Sequence, residues 1–187
     1  LSVHSDAMDK EVQVITICPD KAMAGEKCPV LYLLHGYGGN AGTWLGIKPE
    51  LPQIADKEGI IFVCPDGKNS WYWDSPLNKE YRYETFVSKE LVNYIDKNFT
   101  TKVERGGRAI TGLSMGGHGS LWLSIRHKDV FGGGGSMSGG LDIRPFPNNW
   151  EMKKQLGEEA SNKQRWDEHT VINQLDKIKN GDLAVII

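Results

Sequence analysis

A serine enclosed by glycines stands out in the sequence, where residues 112–116 read Gly-Leu-Ser-Met-Gly. An apolar run at 108–113 leads into it and predicts a buried strand, and a helix-like pattern at 116–127 follows it. A sharp strand-to-helix turn would hold the Ser114 hydroxyl clear of its own backbone, and the glycines leave room where a Cβ would clash. This context predicts a nucleophile elbow of the GxSxG type, and a glycine-rich turn that merely packs tightly is the alternative.

Acyl transfer to a serine creates an oxyanion, and backbone amides at two places are candidates to bind it. The N–H of Met115 would lie in the first turn of the helix, where free amides favour negative charge. A second glycine-rich loop, Leu-Leu-His-Gly-Tyr-Gly-Gly-Asn at 33–40, would bring another N–H from Tyr37 or Gly38. Each donor would stabilise a tetrahedral intermediate by about 3 kcal/mol. A plain turn at the end of a strand is the alternative for this loop.

The base that such a serine needs is not evident in the chain. Where a serine stands on an elbow of this kind, an acid and then a histidine follow it in sequence. The run at 182–187 predicts the strand after which the acid would stand, so we expect neither partner within these 187 residues. The histidines at 35, 118, 127 and 169 are predicted to pack, to end a helix or to be exposed rather than to act as the base.

Alternating apolar runs and helical patterns must position these groups. Strands are predicted at residues 10–18, 29–35, 60–64, 108–113, 132–138 and 182–187. Helical spacing is found at residues 51–58, 87–95, 116–127, 148–156 and 171–178, and Gly59 is a plausible end for the first of these. The alternation predicts α/β architecture, a mostly parallel sheet with helices on both faces. No linker or repeat divides residues 1–187, so we expect a single domain.

Composition excludes several other classes of protein. The net charge of −2 and the lack of a basic stripe argue against nucleic acid as the main partner. No segment is typical of a membrane span or a secretory leader, and no Cys/His cluster suggests a metal site. Cys64 ends an apolar run and is predicted to be buried, whereas the pairing of Cys18 with Cys28 is left open. The sequence also leaves the compartment open, with a periplasmic or secreted location slightly favoured over the cytoplasm.

Five segments together resemble the esterase D-type branch of the α/β-hydrolase fold, which includes feruloyl, acetyl and tributyrin esterases and S-formylglutathione hydrolases. The segments are YLLHGYGG (32–39), FVCPDG (62–67), SWYWDS (70–75), YETFVSKELVNYID (83–96) and GLSMGGHGSLW (112–122). Their order and spacing fit that family over most of the chain.

The resemblance implies roles for particular residues. Ser114 would be the nucleophile, and Met115 and Tyr37 would form the oxyanion hole. The loop with Trp71, Tyr72 and Trp73 would lie near the substrate, since aromatic faces suit sugars and phenolic acyl groups. Anchoring of the loop itself is the alternative. In the segment 142–150, Arg144 and Trp150 would belong to a cap over the acyl pocket, unless that segment is a solvated loop. The chemistry implies neither a metal nor an organic cofactor.

These observations lead to one expected activity and two alternatives. We expect the intact protein to be a serine carboxylic ester hydrolase that works through an acyl-enzyme on acyl or feruloyl esters of carbohydrates. A thioesterase of the S-formylglutathione type is the alternative substrate class, and a non-catalytic binding module on the hydrolase scaffold is the alternative without chemistry. We also expect the chain to be a fragment that lacks the final strand and helix and is inactive alone. An open terminal strand would favour a homo-oligomer or a strand-swapped association.

Overall fold

A seven-stranded sheet forms the centre of the computed structural model, which describes residues 1–187. The strands lie side by side in the order β1-β2-β4-β3-β5-β6-β7. They are β1 (Ser2–Ser5), β2 (Lys10–Ile17), β3 (Val30–Leu34), β4 (Ile61–Pro65), β5 (Arg108–Leu113), β6 (Gly133–Met137) and β7 (Ala184–Ile186). The order reverses between β3 and β5, which is where clefts open at the carboxyl edge of such sheets.

Strand direction confirms the prediction of a mostly parallel sheet. From β4 through β3, β5 and β6 to β7, each neighbouring pair is parallel, with Leu31 of β3 opposite both Phe62 and Ala109. The N-terminal edge differs, because β1 pairs antiparallel with β2 and β2 pairs antiparallel with β4. The parallel strands therefore end at one edge of the sheet, and the loops that follow β3, β4, β5 and β6 meet there.

Helices cover both faces of the sheet, as predicted. They are α1 (Asp20–Met23), α2 (Thr43–Ile47), α3 (Leu51–Glu58), α4 (Tyr83–Thr85), a π-helix (Phe86–Leu91), α5 (Val92–Asn98), α6 (Met115–Arg126), α7 (Met152–Leu156) and α8 (Lys163–Glu168). Short 3₁₀ turns occupy Arg105–Gly107, Glu159–Ser161 and Val171–Lys177. The predicted end of α3 is confirmed, since Gly59 adopts the left-handed conformation at φ 67°.

Alternation along β3 divides the core between the two faces. Leu33 packs with Trp44 and Leu51 from α2 and α3, in a cluster of seven buried residues. Tyr32 and Leu34 point the other way, into a cluster of 32 buried residues to which α6 and the helices at 83–98 contribute. No helix combines the length and the apolar character that crossing a membrane requires.

Two predicted helices were wrong in extent or type, and the backbone shows why. The helix predicted at 148–156 begins only at Met152, because Trp150 and Glu151 have φ of 48° and 56° and interrupt any helical path. The helix predicted at 171–178 is a 3₁₀ turn over Val171–Lys177. All three cysteines are free thiols, so Cys18 and Cys28 do not pair. Cys64 is buried as predicted, and burial raises the pKa of its thiol to about 12.

Candidate active site

Ser114 stands on a strained turn between β5 and α6. Its φ of 56° and ψ of −114° lie outside the regions that residues with a Cβ normally occupy. The side chain is exposed, and the backbone N–H donates to Met137 O at 2.8 Å, which ties the turn to the end of β6. A conformation of this kind costs about 1–3 kcal/mol and persists only where its surroundings hold it.

Glycines allow the backbone contacts that hold this turn. A Cβ on Gly116 would lie 2.2 Å from Leu34 O, so the first turn of α6 packs directly on the end of β3. A Cβ on Gly112 would lie equally close, 2.2 Å, to Gly116 O. Gly36 passes beside the elbow, because its Cβ would be 3.5 Å from that of Ser114. The loop after β3 therefore runs alongside the serine.

Two backbone amides near Ser114 have no partner within the protein. Met115 opens α6, where first-turn amides lack an intrahelical acceptor. In the loop after β3, the amide of Tyr37 donates no hydrogen bond. The amide of Gly38 is already used, because it donates to Asn69 Oδ1 at 2.8 Å. Of the two donors predicted in this loop, Tyr37 is therefore the one that remains available.

His35 fixes the start of that loop from the inside. Its side chain is buried, and both ring nitrogens are used: Nδ1 lies 2.7 Å from Gly36 O, and Nε2 lies 2.9 Å from the amide of Gly67. Because the Gly67 N–H must donate, Nε2 is the unprotonated nitrogen and the ring is neutral. Tyr72 reinforces the same point, since its hydroxyl donates to His35 O at 3.0 Å. The prediction of a structural role for His35 is confirmed.

The aromatic loop after β4 does not present its rings to solvent. Trp71, Tyr72 and Trp73 are 3%, 0% and 0% exposed, so their rings pack inside the protein, and the nearness of this loop to the substrate stays a prediction. Trp71 stacks on Trp73 with ring centroids 5.7 Å apart. The Tyr72 ring lies against Gly67 and Gly119, where a Cβ would approach it to 2.3 Å. These side chains anchor the loop, which was the alternative reading of the sequence.

His118 packs among these tryptophans beneath the elbow. It is fully buried, with its ring 5.2 Å from both Trp71 and Trp73 and stacked on Trp122 at 6.2 Å. Nδ1 lies 2.8 Å from Gly140 O, and Nε2 has no partner. Burial lowers the pKa of His118 to about 4, so the ring is neutral at pH 7. The predicted packing role is confirmed.

No histidine of the chain is hydrogen-bonded to Ser114. His127 pairs with Glu84 at 2.8 Å, and Nδ1 of His169 lies 2.7 Å from Arg165 O. His4 lies on β1 with Glu11, at the far edge of the sheet. With His35 and His118 buried, these residues account for all five histidines.

Four apolar side chains are exposed in the loop after β3, at the end of β6 and in the segment that follows β6. They belong to Tyr37, Met137, Phe146 and Trp150, each about two-fifths exposed. Phe146 and Trp150 lie with ring centroids 5.3 Å apart, and Trp150 is 6.2 Å from Trp71. The Arg144 guanidinium is held by other side chains, because it forms a bidentate pair with Asp142 and a further bond to Asp167. Those bonds make Arg144 a brace for its own segment.

A groove of about 1110 Å³ lies elsewhere, and Ser114 is not among the residues that line it. It separates the helices at 84–93 from the end of α6 and from residues 164–177. Glu84 is the buried hub of its wall and accepts hydrogen bonds from Trp122 and Arg126. Burial raises the pKa of Glu84, but the bonds from His127 and Arg126 outweigh it and leave the pKa below its ordinary value. On this wall, Glu84 is paired with both Arg126 and His127.

Two residues next to the oxyanion loop were missed by sequence reasoning. Asn69 accepts from the Gly38 amide and donates from Nδ2 to Glu151 Oε2 at 3.1 Å. Glu151 is 82 residues away in the chain, and nothing in the local pattern of either segment signals their contact.

Comparison with known proteins identifies the family of the chain. A family model described as "Putative esterase" matches residues 5–186. An acetyl esterase of Caldicellulosiruptor saccharolyticus is 29% identical over 151 residues, which cover 76% of this chain and 56% of the relative. An endo-1,4-beta-xylanase/feruloyl esterase of Xylanibacter ruminicola is 34% identical over 124 residues, 62% of this chain and 17% of the relative. The chain spans 17% to 65% of the length of such curated relatives.

Solved structures share the fold. An S-formylglutathione hydrolase from Agrobacterium tumefaciens superposes with a TM-score of 0.81 at 20% identity, covering 100% of this chain and 84% of that one. This likeness establishes an α/β-hydrolase fold, as the sequence resemblance implied. Since the family model covers residues 5–186, nearly all of the chain, the chain belongs to the Esterase family.

Proposed function

We propose that Ser114 is the nucleophile of a carboxylic ester hydrolase, and that the amides of Met115 and Tyr37 bind the oxyanion. The observation that carries this proposal is an exposed hydroxyl on a strained elbow, beside two amides without partners. A strained backbone at a residue with a Cβ lowers the stability of the fold. An exposed serine does not need this conformation for packing, so the strain points to a role of its hydroxyl.

The reaction follows from these positions. Ser114 Oγ attacks the ester carbonyl while a base removes its proton, and the carbonyl oxygen becomes an oxyanion held by the two amides. Collapse of the tetrahedral intermediate expels the alcohol, which takes up the proton, and leaves an acyl-enzyme. Water then attacks the acyl-enzyme by the same route and releases the acid.

The base is proposed to come from outside these 187 residues. None of the five histidines is hydrogen-bonded to Ser114, since two are buried in packing and three lie in other hydrogen bonds. The chain by itself is then expected to turn over esters slowly or not at all.

Serine substitution in the full-length gene product tests the nucleophile. Ser114→Ala is expected to lower kcat for p-nitrophenyl acetate by at least about 10⁴-fold, because the acyl-enzyme can no longer form. Ser138→Ala is the matched control, since Ser138 is also exposed at positive φ, beyond β6. Wild-type activity in Ser114→Ala would disprove the assignment. Substantial turnover by the 187-residue chain, lost in Ser114→Ala, would disprove the proposal about the base.

Substrate class is proposed from the exposed aromatic pair and from the relatives. Phe146 and Trp150 offer exposed aromatic faces next to Glu151, which Asn69 links to the loop after β3, and such faces suit a phenolic acyl group or a sugar ring. Acyl or feruloyl esters of carbohydrates are therefore the proposed substrates. The S-formylglutathione thioester is the second candidate, because a relative named S-formylglutathione hydrolase from Arabidopsis thaliana aligns with 90% of the chain. A panel of feruloyl, acetyl and glutathione thioester substrates separates the two, and binding without turnover would favour a non-catalytic module.

A further inference from the structure

A side-chain bridge joins the loop after β3 to the segment that carries the exposed aromatic pair. Asn69 Oδ1 accepts from the Gly38 amide at 2.8 Å, and Asn69 Nδ2 donates to Glu151 Oε2 at 3.1 Å. We call Asn69 and Glu151 together the amide–carboxylate bridge. It spans three segments that are far apart in sequence.

Only one orientation of the Asn69 amide satisfies both neighbours. The Gly38 N–H is a donor and the ionised Glu151 carboxylate is an acceptor. Exchanging the oxygen and the nitrogen of Asn69 would oppose donor to donor and acceptor to acceptor. The bridge therefore has a defined polarity, which runs from the Gly38 amide through Asn69 to the carboxylate.

Glu151 is anchored at its other end to the framework. Its carboxylate also pairs with Lys154, in the short helix α7. The preceding carbonyl, Trp150 O, accepts from Nε1 of the buried Trp71 at 3.1 Å. Desolvation, and after it the charge of Glu151, raises the pKa of the Tyr37 phenol. The bridge thus ties Gly38, the residue after Tyr37, to a segment that Trp71 anchors.

We propose that Asn69 and Glu151 are positioning residues that keep the Tyr37 amide aimed at the oxygen bound above Ser114. The inference rests on the proposed function of the same site. Gly38 has φ of 76°, a conformation that glycine leaves easily, so the loop needs an external hold on the Gly38 amide. Loss of the bridge would move the donor that stabilises the transition state and would affect substrate binding much less.

Kinetics of the full-length gene product on p-nitrophenyl acetate test this role. Asn69→Leu removes both hydrogen bonds and is expected to lower kcat by about 10–100-fold, below the effect of losing an oxyanion donor outright, with KM changed less than about twofold. Glu151→Gln keeps an acceptor for Asn69 and is expected to stay within about threefold of wild type.

Reversing the polarity of the bridge gives the sharpest test. Asn69→Asp still accepts from Gly38 but sets two carboxylates against each other, so kcat is expected to fall at least about tenfold. Adding Glu151→Gln supplies a donor that faces the new carboxylate, and N69D/E151Q is expected to recover to within about threefold of wild type. A double variant no better than Asn69→Asp, or an Asn69→Leu enzyme with wild-type kcat, would overturn the proposal.

Amide hydrogen exchange in the 187-residue chain provides a readout that does not depend on turnover. In Asn69→Leu, exchange at Gly38 is expected to accelerate at least about tenfold. The Gly59 amide, which donates to Ala55 O at 2.8 Å, is the folding control and is expected to keep its rate. An unchanged rate at Gly38 would overturn the bridge. Loss of the proposed function gives a different result, an inactive wild type or an active Ser114→Ala variant.

Discussion

Two loops at the same edge of the sheet use the same unusual backbone for opposite purposes. After β5, Ser114 has φ of 56° and an exposed polar side chain. After β4, Trp71 and Tyr72 have φ of 56° and 59° and side chains that are buried. Positive φ marks both loops as held by their surroundings. Exposure is what separates the residue that can react from the residues that support it.

The two loops also differ in what their neighbouring glycines make room for. Glycines beside Ser114 bring backbone against backbone, as where Gly116 meets Leu34 O. Glycines beside the aromatic loop instead make room for a ring, since Gly67 and Gly119 face Tyr72. His118 connects the two, because it lies on α6 and packs against Trp71 and Trp73. The aromatic loop therefore packs against the first turns of α6 and supports the elbow from below.

Replacing one buried and one exposed tryptophan with alanine should separate residues that support the fold from residues that bind substrate most clearly. Trp73→Ala is expected to lower the free energy of unfolding by about 3–5 kcal/mol, because it empties a fully buried site. Trp150→Ala is expected to lower it by about 1 kcal/mol or less, since that ring is 42% exposed. Urea unfolding followed by circular dichroism measures both values.

For substrate binding, we expect the larger effect from the exposed Trp150. Trp150→Ala in the full-length gene product is expected to raise KM for a feruloyl ester by about fivefold, since loss of an exposed aromatic contact is worth about 1 kcal/mol. Equal destabilisation by the two substitutions would remove the distinction between the loops.

Lowering the pH should destabilise the aromatic cluster around His118. Its pKa is about 4 in the folded chain and 6.5 ordinarily, so below pH 6.5 the unfolded chain takes up a proton that the folded chain does not. The free energy of unfolding is therefore expected to fall as the pH is lowered, by about 1.6 kcal/mol between about pH 6.5 and 5. Urea titrations at several pH values measure this slope.

An isosteric substitution identifies the group responsible. His118→Asn keeps a donor near Gly140 O and does not titrate, so the slope should become shallower. Part of the slope will persist, because burial also lowers the pKa of His169. Glu84, whose pKa lies below its ordinary value, acts only at lower pH. An unchanged slope in His118→Asn would show that the aromatic cluster is not the acid-sensitive part.

Relieving the strain at the elbow should give the smallest effect. Ser114→Gly is expected to raise the free energy of unfolding by about 1 kcal/mol, since relief of about 1–3 kcal/mol of strain is partly offset by the greater freedom of glycine in the unfolded chain. Ser114→Ala keeps the Cβ and is the control, with little change expected. If Ser114→Gly is less stable than Ser114→Ala, the elbow is not strained and the contrast with the aromatic loop is weaker.

Much of the fold could be predicted because apolar periodicity determines it. The bounds of β5 were predicted to the residue, and α6 was predicted within one residue at each end. β1 was missed because four residues at a sheet edge have too little apolar pattern. The helix predicted before Met152 failed because Trp150 and Glu151 adopt positive φ, which neither residue type signals.

The candidate site was predictable only where a local motif carries it. Ser114 and the two glycine-rich loops are visible in short stretches of sequence. Burial of Trp71 and Trp73 was not, because whether a loop folds inward depends on partners such as His118 and Trp150. The contact of Asn69 with Glu151 joins residues 82 apart and has no local signature.

The close approach of Gly116 to Leu34 O bears on how such proteins are recognised in genomes. Neither glycine of the pentapeptide can gain a methyl group without displacing main chain, whether or not any reaction takes place above it. A descendant that lost the hydroxyl would still retain both glycines, as would one that kept it but never met an ester. The two glycines of the pentapeptide therefore indicate the fold, and only the residue at its central position distinguishes proteins that keep the serine hydroxyl from proteins that have lost it.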